Sequence, residues 1–178
     1  MQLKFTFALL TSFIATGLAS TVANVEADIA TISSQVTALD NAINAFPATG
    51  GTLLQALTIH NDAAALSPSI QKGTTDVQGV PPPISETDGQ TILKSVQGFE
   101  PTILDALKQI VAKKAALAAL PVGGIVALVK QDLGFLSGNT TAFENALIAS
   151  APTDLKSQAT AIKTAIDAAF ATAIAAYA

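Results

Sequence analysis

The chain has 178 residues, with nine lysines and no arginine against thirteen acidic residues, for a net charge of −4. Half of it is apolar and only 12% is charged, with one histidine, no cysteine and no tryptophan. This balance excludes nucleic acid as a partner, because neutralising phosphates takes clustered basic side chains, and the lack of cysteine excludes disulfides and thiolate zinc sites.

Residues 1–19 read as a secretory signal peptide: Lys4 gives the positive start, Phe5 to Leu18 the apolar run, and Gly17-Leu18-Ala19 the small-residue cleavage site. A membrane span is the competing reading, but the run is short, holds Thr6, Thr11, Ser12 and Thr16, and ends in small residues. No later stretch resembles a transmembrane segment. The mature chain is expected to begin at Ser20 or just after, with eight lysines against thirteen acids and a net charge of about −5. Residues 20–178 are read as a single helical-bundle domain, large enough to bury roughly two thirds of its unfolded surface.

From Val22 to Phe46, the residues Val22, Val25, Ile29, Ile32, Val36, Leu39, Ile43 and Phe46 recur at steps of three and four. That spacing is one seam of an α-helix roughly 35 Å long. Intervening residues, among them Asp28, Gln35 and Asp40, are expected to face water. Pro47, Gly50 and Gly51 close this helix. A second helix starts at Thr52, where Thr52 and Gln55 fit a capping box; its inward face is read as Leu53, Leu57, His60, Ala64, Ile70 and Val77. Pro68 should kink or split it, with Ser67 able to cap the second half. Gly79 to Pro83 form a stiff connector.

Ser85 caps a third helix with Glu86 and Asp88 in its first turn; Leu93, Val96, Ile103, Leu107, Ile110 and Leu117 keep its period, and Pro101 implies a kink near Phe99. After the break at Leu120 to Gly124, Val122, Val126, Val129, Leu133 and Leu136 form a fourth stripe. Ser137-Gly138 is expected to interrupt it, with Thr141 and Glu144 capping a short restart that carries Phe143 and Leu147. Beyond Pro152 a last helix carries Leu155, Ala159, Ile162, Ile166, either Ala169 or Phe170, Ala173 and Tyr177. The fold class is all-α: a bundle of about five mostly antiparallel helices, some kinked at prolines.

Catalytic chemistry finds little support. His60 is the only imidazole, no Gly-x-Ser-x-Gly elbow exists, and no residue is a candidate for catalysis, for a metal or for a cofactor. His60 reads either as a partly buried bundle histidine or as a contact for a ligand carboxylate. Asp28, Asp40 and Asp105 look scattered over solvated faces, and Lys113-Lys114 looks like a solvated helix end. Asn139-Thr140-Thr141 is an N-glycosylation acceptor pattern in the expected break, which makes Asn139 a candidate glycosylation site. After Asp167 no charged side chain follows. That weakly polar last helix reads as tight alanine packing, as high helix propensity, or as contact with something apolar. Kinked helices could also leave an apolar cavity suited to a lipid tail.

Laid out in this order, the chain resembles the fungal hydrophobic surface binding protein A family, which is related to cell-wall galactomannoproteins. The resemblance rests on Val25 to Phe46 with Pro47 and Gly50, on Ala56-Leu57-Thr58-Ile59-His60, and on Ile110 to Lys114. Further along it rests on Phe143 with Ala146-Leu147, on Ala151-Pro152 with Asp154-Leu155, and on Ile166 to Tyr177. It implies a secreted or wall-associated helical protein, not an enzyme, that adsorbs to hydrophobic solid surfaces and helps recruit a secreted esterase of the cutinase kind. Related mannoprotein domains imply the alternative, a cavity for fatty acids or other lipids, and a structural role in the wall is a third reading. The inner-face residues Leu57, His60, Leu107, Ile110, Val129, Leu133, Ile162 and Ile166 are the candidate ligand-binding lining. Without the long Ser/Thr-rich tail or lipid-anchor signal of wall-attached relatives, release is expected over permanent attachment.

Overall fold

Helix α1, Val22–Ala45, is opened by a capping box in which Thr21 Oγ1 accepts from the Asn24 backbone while the Asn24 side chain accepts from the Thr21 backbone. Residues 20–178 are described by a computed structural model; the expected signal peptide lies outside them. The seam of α1 is buried as its spacing predicts, from Val25 through Ile43 to Phe46, which is 0% exposed. Gly51 makes that possible: a Cβ there would stand 2.3 Å from the tip of the Phe46 ring. The turn therefore closes over the ring only with glycine.

Helix α2 spans Leu53–Gly79 and carries the expected Thr52–Gln55 capping box. Its buried face is Ala56, Ile59, Ala63, Leu66, Ile70, Gly73 and Val77. The expected face was thus one position out of register before Pro68: Leu53 and Leu57 are exposed, His60 is half-buried and Ala64 is exposed. Pro68 does not split the helix. It sits on the exposed side, as does Ala64, whose carbonyl loses its partner to the proline, so water can take that bond. Pro101 does the same in α3, Glu86–Ala118, opposite exposed Gln97. Ser67 caps nothing; its hydroxyl accepts from Asn139.

Helix α4 runs unbroken over Ile125–Ser150, so the interruption expected at Ser137-Gly138 is absent. Glycine inside a helix costs only about 1 kcal/mol, less than the burial of Leu136 and Phe143 on either side returns. Thr141 and Glu144 form no cap: Thr141 Oγ1 donates to Asp167 and Glu144 is buried. Val122 lies in the preceding loop and is exposed. Helix α5, Lys156–Ala176, buries Ile162, Ile166, Phe170 and Ala173, which settles the inward residue as Phe170. Contrary to expectation, α5 is long and apolar enough to cross a membrane, the one such helix among the described residues.

The helices close a ring in the order α1, α2, α4, α5, α3, with a minor contact between α3 and α4. Consecutive helices run in opposite directions, as their short connections require. Asp28 near the start of α1 meets Lys72 near the end of α2, and Thr141 late in α4 meets Asp167 in α5. Around the ring, however, α2 and α4 are parallel, because His60 meets Asp132 and Gln71 meets Asn139. The pair α3 and α5 is parallel too: Gly89 faces Pro152 and Leu155 at one end, and the Tyr177 hydroxyl donates to the Ile110 carbonyl at the other (2.7 Å).

Several groups expected to be solvated are engaged. Asp28 is buried and receives the Lys72 ammonium at 2.7 Å; burial raises its pKa. The same ammonium and Ser20 hold Asp76 down to about 2. Asn44 bridges Asp40 and Asp105, so these two carboxylates are neighbours. Lys114 donates to the Ala176 carbonyl and lies over the Tyr177 ring, 5.6 Å from its centre, where it suits the negative end of α5. Phe46→Ala should destabilise the fold by about 3–5 kcal/mol, read from the midpoint of chemical denaturation, whereas Tyr177→Phe should cost about 1 kcal/mol for one buried hydrogen bond.

Candidate functional site: the cavity inside the ring

All five helices contribute to a cavity of about 100 Å³ on the ring axis. Its wall is aliphatic apart from Phe99, Phe143 and Phe170 and three polar residues, Asp132, Thr140 and Glu144, all from α4. One water needs roughly 10–15 Å³ of such space, so size alone would admit several. Water also needs two or more polar partners, and most of this wall offers none. An apolar occupant fits the chemistry better.

Of the eight residues read as a lining, Leu107, Ile110, Val129, Leu133 and Ile166 face this cavity. Ile162 faces a smaller one of about 50 Å³ lined by α3, α4, α5 and the segments beside them. Leu57 is exposed on the outside of α2. His60 lies in a groove of about 270 Å³ between α2 and α4, where its Nδ1 is 2.9 Å from Asp132 Oδ2. Asp132 borders both the groove and the central cavity. Burial raises its pKa, and the bond from His60 opposes that shift.

Glu144 was not among the eight. It borders both cavities, and its side chain is 9% exposed. Neither carboxyl oxygen has a hydrogen-bond partner. The nearest cation, the Lys163 ammonium, is 3.8 Å from Oε2 and is bonded to Asp167 instead. Burial, reinforced by the Asp167 charge, pushes the Glu144 pKa from an ordinary 4.5 to about 8. At neutral pH the group is therefore mostly a neutral acid set in an apolar wall. The signal was present in the sequence: carrying the α4 stripe past Leu136 at steps of three and four reaches Thr140, Phe143, Glu144 and Leu147.

Asn139 sits within α4, its Nδ2 donating to Ser67 Oγ at 2.6 Å and its Oδ1 accepting from Gln71. The nitrogen to which a glycan would be joined is the one that holds Ser67.

The family model for hydrophobic surface binding protein A matches residues 22–149. No curated protein sequence matches the chain. Among solved structures it is similar to AFMP4P in complex with palmitic acid, at 30% identity and a TM-score of 0.80, over 89% of this chain and 100% of that one. Domain 1 of the Penicillium marneffei MP1 protein, complexed with arachidonic acids, shares the fold at 22% identity and a TM-score of 0.77, over 89% and 99% of the two chains. Domain 2 of that protein, complexed with multiple arachidonic acids, shares it at 19% and 0.77, over 90% and 98%.

The raised pKa of Glu144 has a defined effect on stability. The native state keeps the proton while the unfolded chain has lost it, so the contribution is fully present below about pH 4.5 and is lost as pH rises through about 8. Glu144→Gln should therefore stabilise the protein by a few kcal/mol at pH 8 and by almost nothing near pH 4.5, measured by thermal unfolding across that range.

Proposed function

Because the chain belongs to the hydrophobic surface binding protein A family, we propose that it is a secreted, non-enzymatic binder of apolar material that holds a long acyl chain inside its ring of helices. The carrying observation is the apolar cavity to which every helix contributes. The fatty acids named for the structures of the same fold support this reading. Each methylene taken from water into the cavity contributes about 0.8 kcal/mol. At about 100 Å³ the cavity must widen to take a whole chain, through turning of Phe99, Phe143 and Phe170 or parting of the helices.

Binding to hydrophobic surfaces, for which the family is named, has its own observation. Leu53, Leu54 and Leu57 are exposed at the start of α2, Leu54 at 75%, and Phe135 on α4 is 59% exposed. These side chains can leave water without opening the bundle. Recruitment of a secreted esterase and residence in the cell wall belong to the same proposal, with the outer surface as the part available to a partner.

Native mass spectrometry and lipid extraction of the secreted protein test the interior mode, and depletion by hydrophobic polymer beads tests the surface mode. Leu133→Phe, which narrows the cavity, should weaken palmitate binding and spare bead depletion, while Leu54→Asp should do the reverse. An empty protein that displaces no fluorescent fatty acid would reject the interior mode.

A further inference from the structure

We infer that Glu144, with Lys163 beside it, is the anchor for the carboxyl group of a free fatty acid whose tail lies in the central cavity. This deepens the acyl-binding reading and rests on it. Glu144 stands where the two internal cavities meet, bordering both together with Val96 and Leu147. An unpartnered carboxyl in such a wall costs a few kcal/mol that a leucine or isoleucine would not. The fold itself makes no use of its hydrogen-bonding capacity, since both oxygens are buried and unbonded.

A ligand suited to this position must supply a polar head that can bond a neutral acid and an apolar body for the surrounding wall. A carboxylate with an acyl tail meets both conditions. The Glu144 hydroxyl would donate to the ligand carboxylate, giving a pair that shares one proton and one negative charge. The charge is answered by Lys163, whose side chain is 18% exposed at the seam of α4 and α5 and lines the smaller cavity. The charged groups facing Glu144 are Lys163 and Asp167, both from α5; the α3 side, at Ile92, Leu93 and Val96, is apolar. Raising the pH until Glu144 ionises would place two like charges together and expel the ligand. An ester, an alcohol or a hydrocarbon cannot take up the shared proton as a charged acceptor, so the anchor selects free acids.

Equilibrium binding of radiolabelled palmitate and radiolabelled methyl palmitate to the full mature protein tests this, with thermal unfolding recorded for every variant. Wild type should prefer the acid. Glu144→Leu should weaken palmitate binding roughly tenfold at pH 7, the scale of one hydrogen bond to a charged group, and leave methyl palmitate unchanged. Lys163→Met should act in the same direction, and Glu144→Gln should abolish the fall in wild-type palmitate affinity above about pH 8. Equal affinity of wild type and Glu144→Leu for palmitate would overturn the anchor, as would equal loss of acid and ester in both Glu144 variants, which marks a packing role. If wild type binds neither ligand, the acyl-binding reading itself fails and the anchor with it.

Discussion

Neighbouring helices pack with their axes roughly 8–10 Å apart, and five of them closed in a ring stand too far from the common axis for their backbones to meet there. The centre can be filled only by side chains, and the side chains of this chain that point inward are mostly medium-sized aliphatics from Ile32, Val36, Leu66, Leu133 and Ile166. The cavity is thus a result of the helix count as much as of any one residue.

The ring order decides where polar side chains can be tolerated. Where α1 and α2 lie at the rim, Asp28 is buried but receives Lys72, with Asp76 and Ser20 completing a chain of short bonds. There Lys72 offsets the charge at Asp28 Oδ1, although Oδ2 is buried without a partner, and the cluster ties the ends of two helices. In the interior, at Glu144, neither carboxyl oxygen is hydrogen-bonded, and the one cation in reach, Lys163, is bonded to Asp167. Two acidic residues of similar burial therefore have opposite characters, one a structural clamp and the other an unfilled valence in an apolar wall.

Much of this was legible in the linear order of residues. The seam of α1 and the caps at Thr52 and Ser85 follow from local rules that the tertiary structure leaves intact. The errors occurred where the local signal and burial pulled apart. Ser137-Gly138 resembles a break only when the neighbouring apolar residues are ignored, and only with a break there would Glu144 be a cap and not a buried wall residue. Pro68 looked disruptive because its solvent-facing position is invisible in sequence. The face of α2 slipped because Leu53 and Leu57 are larger than Ala56 and Ala63, although small residues are what a tightly packed face uses. Gly73 shows this: a Cβ there would come within 3.0 Å of the Phe143 ring. The ring order itself leaves no trace in periodicity, so the meeting of His60 with Asp132 and of Asn44 with Asp105 could not be read ahead of the fold.

The wall of the cavity also has a chemical character of its own. Apart from Asp132, Thr140 and Glu144 it is built from saturated side chains and phenyl rings, and the whole chain contains no cysteine, no tryptophan and a single methionine at position 1. Thioethers and thiols are readily oxidised, and none lines the interior. A wall of this composition holds no sulfur for an oxidant to convert, so the interior keeps its shape and its polarity where such reagents are present.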